Sequence, residues 1–155
     1  AELKGHTLWV NSASFSPDGR TLYISDSTTQ RCDRYDLDPA TGEVSNRETF
    51  FALGPADGFV DGAAVDSEGT YWATLVYAGR LRRYLPDGTL DCEIVLPFDN
   101  PTKPAFGGEH LRTVFVTSTS ETLGPGPANP LDGGLFAFEA DIAGLPEPLF
   151  AGVGR

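Results

Sequence analysis

The chain has 155 residues and a formal net charge of −11, with 40% hydrophobic residues, 18 glycines and 12 prolines. This length is typical of one domain with a sizeable core, and the negative charge argues against nucleic acid, whose phosphates would be repelled. No apolar run approaches the roughly 20 residues of a membrane-spanning helix, and no secretory leader is visible. We therefore expect an all-β, cytoplasmic protein with many tight turns that binds neither nucleic acid nor membrane.

A pattern of short strands joined by glycine turns occurs three times along the chain. The first copy begins at residue 11 with Asn-Ser-Ala-Ser-Phe and turns at Gly19. The second begins at residue 61 with Asp-Gly-Ala-Ala-Val and turns at Gly69, and the third begins at residue 102 with Thr-Lys-Pro-Ala-Phe. Repeats of about 40–50 residues with four short strands each are typical of β-propeller blades. A β-sandwich is the rival fold, but it does not predict near-identical repeats.

Twelve strands are predicted, four in each repeat. In chain order they are Ser12–Phe15, Thr21–Ser25, Arg31–Asp36 and Glu48–Ala52, then Gly62–Val65, Tyr71–Leu75, Arg80–Tyr84 and Cys92–Leu96, then Ala105–Phe106, Val114–Ser118, Gly134–Phe138 and Glu147–Phe150. The segment 120–132 is rich in glycine and proline, which predicts a surface loop. No sustained apolar period of 3.6 residues occurs, so helix should be close to nil. The prediction is one domain, 1–155, with blades at 8–55, 58–100 and 101–151.

Superposing the three copies places Asn11, Asp61 and Thr102 at one repeat position, directly before the first predicted strand of each unit. In a propeller the first strand of each blade lines the channel, so Asn11 and Asp61 are expected side by side at one mouth. Amide and carboxylate oxygens suit Ca²⁺, Mg²⁺ or Mn²⁺, while Zn²⁺ is less expected because neither histidine falls at this position. A plain turn is the alternative for the Asp-Gly pair at 61–62, but this pair precedes a buried strand.

Several longer strings carry a family resemblance. They are Val-Ser-Asn-Arg at 44–47, Val-Asp-Ser-Glu-Gly at 65–69, Thr-Lys-Pro-Ala-Phe-Gly-Gly at 102–108 and Gly-Gly-Leu-Phe-Ala at 133–137. Together they resemble the SMP-30/gluconolactonase/LRE-like family, which includes regucalcin and bacterial sugar lactonases. The resemblance covers about 8–150 and implies the last three blades of a six-bladed propeller with one divalent cation at the channel mouth.

The resemblance also implies a metal-dependent hydrolase that converts a gluconolactone- or xylonolactone-like sugar lactone to the aldonic acid. In the family a Glu, an Asn and an Asp hold the cation. Asn11 and Asp61 match the Asn and the Asp, whereas the Glu would lie before residue 1. We therefore expect pairing with an N-terminal half or with a second copy. The alternative function is a non-catalytic propeller module that binds a divalent cation or a protein partner.

Lactone hydrolysis needs a polarised carbonyl and a nucleophilic water, both of which a cation can supply. Asp61 is predicted to be both a metal ligand and the general base. Asp26 ends a predicted strand and either orients Asn11 or a site water or simply caps that strand. Lys103 follows the third copy of the ligand position and either steadies an oxyanion or sugar hydroxyl or is solvated. Asp66 is assigned to turn capping.

Five further residues are assigned to packing. Trp9, Trp72 and Phe106 fall on predicted strands, where contacts between blades are a better explanation than carbohydrate stacking. Cys32 and Cys92 do not make a disulfide framework, and we expect both to be reduced packing residues.

Overall fold

The computed structural model describes residues 9–121 and 128–147, and in those ranges the chain is all-β with no helix. Three antiparallel sheets follow one another along the sequence, with 4, 4 and 3 strands. The first contains β1 (Val10–Phe15), β2 (Thr21–Asp26), β3 (Arg31–Leu37) and β4 (Val44–Ala52). The second contains β5 (Phe59–Val65), β6 (Tyr71–Val76), β7 (Arg80–Tyr84) and β8 (Leu90–Val95). The third contains β9 (Pro101–Gly107), β10 (Thr113–Ser118) and β11 (Leu135–Glu139).

The third sheet departs from the prediction. Its first strand is longer than the two residues expected, and the predicted fourth strand is not seen at Glu147, which lies in irregular chain. Proline stands on both sides of Glu147, and proline has no N–H to give to a strand ladder. The rest of that predicted strand, 148–150, and the predicted loop residues 122–127 lie outside the described residues. The described chain contains no helix long and apolar enough to cross a membrane.

The first and second sheets are joined by an aromatic core. The rings of Phe51 and Tyr84 stack with centroids 3.9 Å apart and planes 1° from parallel. Tyr23 of the first sheet lies 5.3 Å from Tyr71 of the second, measured between centroids. Tyr23 and Tyr71 come from strands that are buried along nearly their whole length, so both faces of these strands are covered.

The second and third sheets are joined by another cluster. Trp72 meets Phe106 edge to face at a centroid distance of 5.4 Å, and Val114 and Val116 are fully buried beside them. The predicted role of Trp72 and Phe106 in packing between blades is confirmed. Trp9 precedes β1 and is 66% exposed, so its predicted packing role is not seen in the described chain. Cys32 is a buried free thiol whose pKa is raised far above its usual value by burial, so it belongs to the core.

The order of packing brings the first strands together. β1 contacts β5, and β5 contacts β9, so the first strands of three successive sheets lie side by side. They line a concave cavity of about 570 Å³ whose wall includes the small residues Ala13, Ala63, Ala64 and Ala105. Lys103 is among the residues that line this cavity, whereas Asn11 and Asp61 lie on the same strands outside its lining.

Candidate metal centre on the inner strands

Each inner strand carries a β-bulge at the repeat position. The residues passed over in the pairing register are Asn11 in β1, Asp61 with Gly62 in β5, and Thr102 in β9. A bulge breaks the alternation of side chains and re-aims the residue at the break. The repeat position was expected directly before the first strand of each unit, and that expectation is wrong. It lies inside β1, β5 and β9, because strand pairing continues on both sides of each bulge.

Hydroxyl groups on the second strands anchor the bulges. Ser25 of β2 donates a hydrogen bond from Oγ to the carbonyl of Asp61, at 3.4 Å. Thr74 of β6 directs its Oγ1 to the carbonyl of Thr102 at 2.8 Å and to that of Gly62 at 2.9 Å. The same contact is thus made twice between neighbouring sheets, which supports the alignment of Asp61 with Thr102.

Asn11 is tied to the second sheet through a single hydroxyl group. Its Nδ2 donates to Ser27 Oγ at 2.8 Å, and that hydroxyl donates to the carbonyl of Val60 at 2.5 Å. Val60 directly precedes Asp61. The structure therefore connects the side chain of one predicted ligand to the backbone beside the other.

Asp61 is the more buried of the two predicted ligands. Loss of solvent raises the pKa of its carboxyl group, and the positive charge of Lys103 partly offsets that rise. Within residues 9–121 and 128–147, no hydrogen-bond donor reaches the Asp61 carboxylate. A half-buried carboxylate without donors is unfavourable when ionised, and a cation would relieve that cost.

Asp66 provides the contrast with Asp61. It is fully buried, yet its Oδ1 accepts from the amides of Glu68 and Thr70, and its Oδ2 accepts from Trp72 Nε1 at 2.8 Å. Every one of these bonds closes the turn between β5 and β6. Its predicted role as a turn cap is confirmed.

Asp26 and Lys103 lie on either side of the two predicted ligands. The Oδ1 of Asp26 accepts from the amides of Thr28 at 2.9 Å and Thr29 at 3.3 Å, which is the geometry of a strand-end cap. Lys103 extends along β5 and donates from Nζ to the carbonyl of Ala63. Burial lowers the pKa of its amine, while Glu147 and Asp61 act in the opposite direction. Lys103 therefore places a positive charge on the channel wall beside Asp61.

Sequence reasoning did not find Ser27, Ser25 or Thr74. Their hydroxyls bond to carbonyls of the next sheet, and such contacts depend on how the sheets are stacked. One signal was present: a hydroxyl residue recurs near the end of the second strand in the first and second repeats. In the described ranges, no three His, Cys, Asp or Glu side chains form a ligand cluster.

Known proteins share sequence similarity with this chain. Residues 1–120 match the family model described as SMP-30/Gluconolactonase/LRE-like region. The chain belongs to this family. A family relative, the 6-deoxy-6-sulfogluconolactonase of Pseudomonas putida, is 41% identical over 154 residues, which are 97% of this chain and 52% of the relative. Regucalcin of Xenopus laevis is 32% identical over 146 residues, 92% of this chain and 49% of the relative.

A solved structure in the family has the same fold. It is a calcium-binding protein, regucalcin, from Agrobacterium tumefaciens, which matches 91% of this chain and 49% of its own with 35% identity and a TM-score of 0.83. The predicted resemblance and the β-propeller fold class are confirmed. The chain spans about half the length of the relatives it matches.

Proposed function

We propose that this chain forms part of a cation-dependent lactonase that hydrolyses a gluconolactone- or xylonolactone-like sugar lactone to the aldonic acid. Family membership supports the reaction class, since a relative 41% identical to this chain is a sulfogluconolactonase. The observation that carries the proposal is Asp61, a half-buried carboxylate without a hydrogen-bond donor in the described chain. It occupies the same bulge position as the amide of Asn11 on the adjacent inner strand.

The donor chemistry suits a hard divalent cation. The Oδ1 of Asn11 and the carboxylate of Asp61 would hold it, and oxygen donors of this kind favour Ca²⁺, Mg²⁺ or Mn²⁺ over Zn²⁺. These two residues supply too few oxygens for any of those ions. Waters and a residue outside this chain would complete the set. The regucalcin from Agrobacterium tumefaciens is described as calcium-binding.

Asp61 would act as the base. A bound cation supplies a Lewis acid for the lactone carbonyl and lowers the pKa of a nearby water. Asp61 would accept one proton from this water as the water oxygen adds to the carbonyl carbon. It would return that proton to the ring oxygen as the bond between the carbonyl carbon and the ring oxygen breaks. The products are the alcohol and the carboxylic acid of the opened sugar, and Asp61 is again ionised.

Lys103 and Asp26 have supporting roles in the proposal. The ammonium group of Lys103 lies on the cavity wall and can face the oxyanion or a sugar hydroxyl after releasing its backbone partner. Asp26 fixes the end of β2, from which Ser25 and Ser27 reach the second sheet. Asp26 therefore holds Asn11 in place indirectly, because Ser27 directly follows Asp26 in the chain.

We also propose that the three sheets are the C-terminal three blades of a six-bladed propeller, within one domain that spans 1–155. The length of the relatives supports this assignment. Exposed apolar side chains on the first and third sheets support it as well, among them Val10, 52% exposed, and Leu135, 65% exposed. Closing the ring with an N-terminal half, or with a second copy, would cover such surfaces.

The free thiols of Cys32 and Cys92 favour a cytoplasmic location.

A cation-stripped lactonase assay tests the function. The full-length protein is treated with a chelator and then supplied with Ca²⁺, Mg²⁺, Mn²⁺ or Zn²⁺, while acid release from gluconolactone and xylonolactone is followed in a pH-stat. We expect hydrolysis to return with at least one cation and to fail in Asp61→Asn. Cation binding without hydrolysis of any lactone would favour the non-catalytic module instead.

Light scattering on residues 1–155 alone tests the ring. We expect association into a particle of at least two chains, or recovery of a single defined species when an N-terminal half is added. A stable monomer with cooperative unfolding would contradict the half-ring assignment.

A further inference from the structure

We infer that Ser27 is a positioning residue that fixes the amide of Asn11 so that its oxygen, and not its nitrogen, is available to a cation. The inference rests on the proposed function, because it concerns how this chain prepares one of its two proposed ligands. Ser27 touches neither substrate nor cation in the proposed site, so it would act only through Asn11.

The direction of the hydrogen bonds around Ser27 follows from elementary donor and acceptor chemistry. A backbone carbonyl can only accept, so the contact between Ser27 Oγ and the carbonyl of Val60 at 2.5 Å uses the single hydroxyl proton of Ser27. The same oxygen then has only lone pairs to offer to Asn11, which lies 2.8 Å away. An amide can meet a lone pair only with its N–H. Asn11 must therefore give Nδ2 to Ser27, which leaves Oδ1 for another partner.

The surroundings hold Ser27 itself in place. Its side chain is buried, at 7% exposure, and its backbone amide donates to the carbonyl of Trp9 at 3.0 Å. The hydroxyl therefore cannot rotate towards solvent without leaving Val60, a fully buried residue of the next sheet. The amide orientation of Asn11 is in this way set by packing between two sheets.

The second sheet lacks this device, which agrees with its chemistry. Val10 pairs with Asp26, the last residue of β2, and Val60 pairs with Leu75 of β6. The next residue along the chain is Ser27 in the first sheet and Val76 in the second. An amide has one oxygen and one nitrogen, so Asn11 needs an orienting partner. A carboxylate offers an oxygen in either orientation, so Asp61 needs none.

Two readouts test the inference on the full-length protein. NMR of the cation-free protein reports the contact between Ser27 and Asn11 through the side-chain amide signals of Asn11. These signals are identified by their loss in Asn11→Asp. Isothermal titration calorimetry with Mn²⁺ measures the affinity for the cation. We expect Ser27→Ala to shift the bonded Nδ2 proton and speed its exchange, and to weaken Mn²⁺ binding about 10–100-fold. Ser27→Thr, which keeps the hydroxyl, should restore most of the affinity.

Gln30→Ala is the matched control, since the side chain of Gln30 also donates to a carbonyl of the second unit, that of Gly58 at 2.8 Å, but does not touch Asn11 or Asp61. We expect it to keep the Asn11 signals and the Mn²⁺ affinity. In an Asn11→Asp background, Ser27→Ala should weaken Mn²⁺ binding by less than about 3-fold. Both atoms at the end of a carboxylate are oxygens, so either orientation can bind the cation. That difference separates an orienting role from general loosening of the sheets.

The inference is overturned if Ser27→Ala leaves both the Asn11 signals and the Mn²⁺ affinity unchanged, or if Gln30→Ala weakens binding equally. A full-length protein that binds none of the four cations would overturn the proposed metal centre itself. The NMR signals of the cation-free protein would still show whether Ser27 holds the Asn11 amide, so the two failures are distinguishable.

Discussion

The first and second sheets present the same backbone position in two different chemical settings. In the first sheet the bulge carries Asn11, whose exposed amide is held by the hydroxyl of Ser27. In the second it carries Asp61, whose half-buried carboxylate has no donor in the described chain and lies beside the charge of Lys103. The repeat therefore supplies a position, and the neighbouring side chains decide its role. In the proposed function, one copy would offer a neutral, oriented ligand, and the other would offer a charge and a base.

The largest expected effect separates the base from the neutral ligand. Asp61→Asn keeps an oxygen at the bulge but removes the proton acceptor, so lactone hydrolysis at saturating cation should fall by about 10²–10⁴-fold. Asp87→Asn is the control, because that carboxylate lies in a turn where it accepts from the amide of Thr89. If Asp61→Asn with cation bound kept the wild-type kcat, Asp61 would not be catalytic.

The next effect concerns the space around each bulge. A Cβ added to Gly62 would lie 2.5 Å from the carbonyl oxygen of Thr102 and 2.6 Å from Lys103 Cδ. Gly62→Ala should therefore destabilise the fold by about 1–3 kcal/mol, measured from urea midpoints. The equivalent residue of the first sheet, Ser12, is buried but carries a side chain.

Gly54→Ala is the matched glycine change. There the new Cβ would meet only the end of the Asp57 side chain, at 3.3 Å, and that side chain can move. We expect a loss below about 1 kcal/mol. Equal losses for Gly54→Ala and Gly62→Ala would mean that β9 does not restrict the bulge of β5.

A third effect tests whether Asn11 is a ligand without being a base. Asn11→Ala should raise the dissociation constant for Mn²⁺ about 10-fold or more, since one oxygen donor is lost. At saturating Mn²⁺ the kcat should stay within about 3-fold of its original value. Calorimetry and steady-state kinetics measure the two quantities separately. A large loss of kcat with unchanged cation affinity would reverse the roles assigned to Asn11 and Asp61.

The smallest effect concerns stability without cation. Burial raises the pKa of Asp61 above 3.8, the ordinary value for aspartate. Between pH 3.8 and the raised pKa, the folded state therefore binds more protons than the unfolded state. Cation-free stability should fall as the pH rises through this window. Asp61→Asn should remove that dependence and stabilise the cation-free protein at neutral pH by less than about 1 kcal/mol. Urea unfolding at several pH values measures it, and a destabilised Asp61→Asn protein would contradict the desolvation argument.

The sequence predicted the sheets better than the contacts between them. Three repeats with turns at Gly19 and Gly69 were sufficient for the all-β fold and for Asn11 and Asp61 to share one position. The bulges were not predictable, because strand alternation on each side of a break looks normal and the skipped residue leaves no mark in the sequence. The Ser27 contact was also out of reach, since it depends on which carbonyl of the next sheet faces β2.

The most direct test of the central claim is the position of one bound ion. A crystal of the full-length protein is soaked in Mn²⁺, and anomalous scattering locates the metal. The account predicts a peak about 2.0–2.6 Å from both Asn11 Oδ1 and an Asp61 carboxylate oxygen, with Asn11 Nδ2 still bonded to Ser27. A Mn²⁺ peak that contacts only one of the two residues, or that lies away from the bulges of β1 and β5, would contradict it.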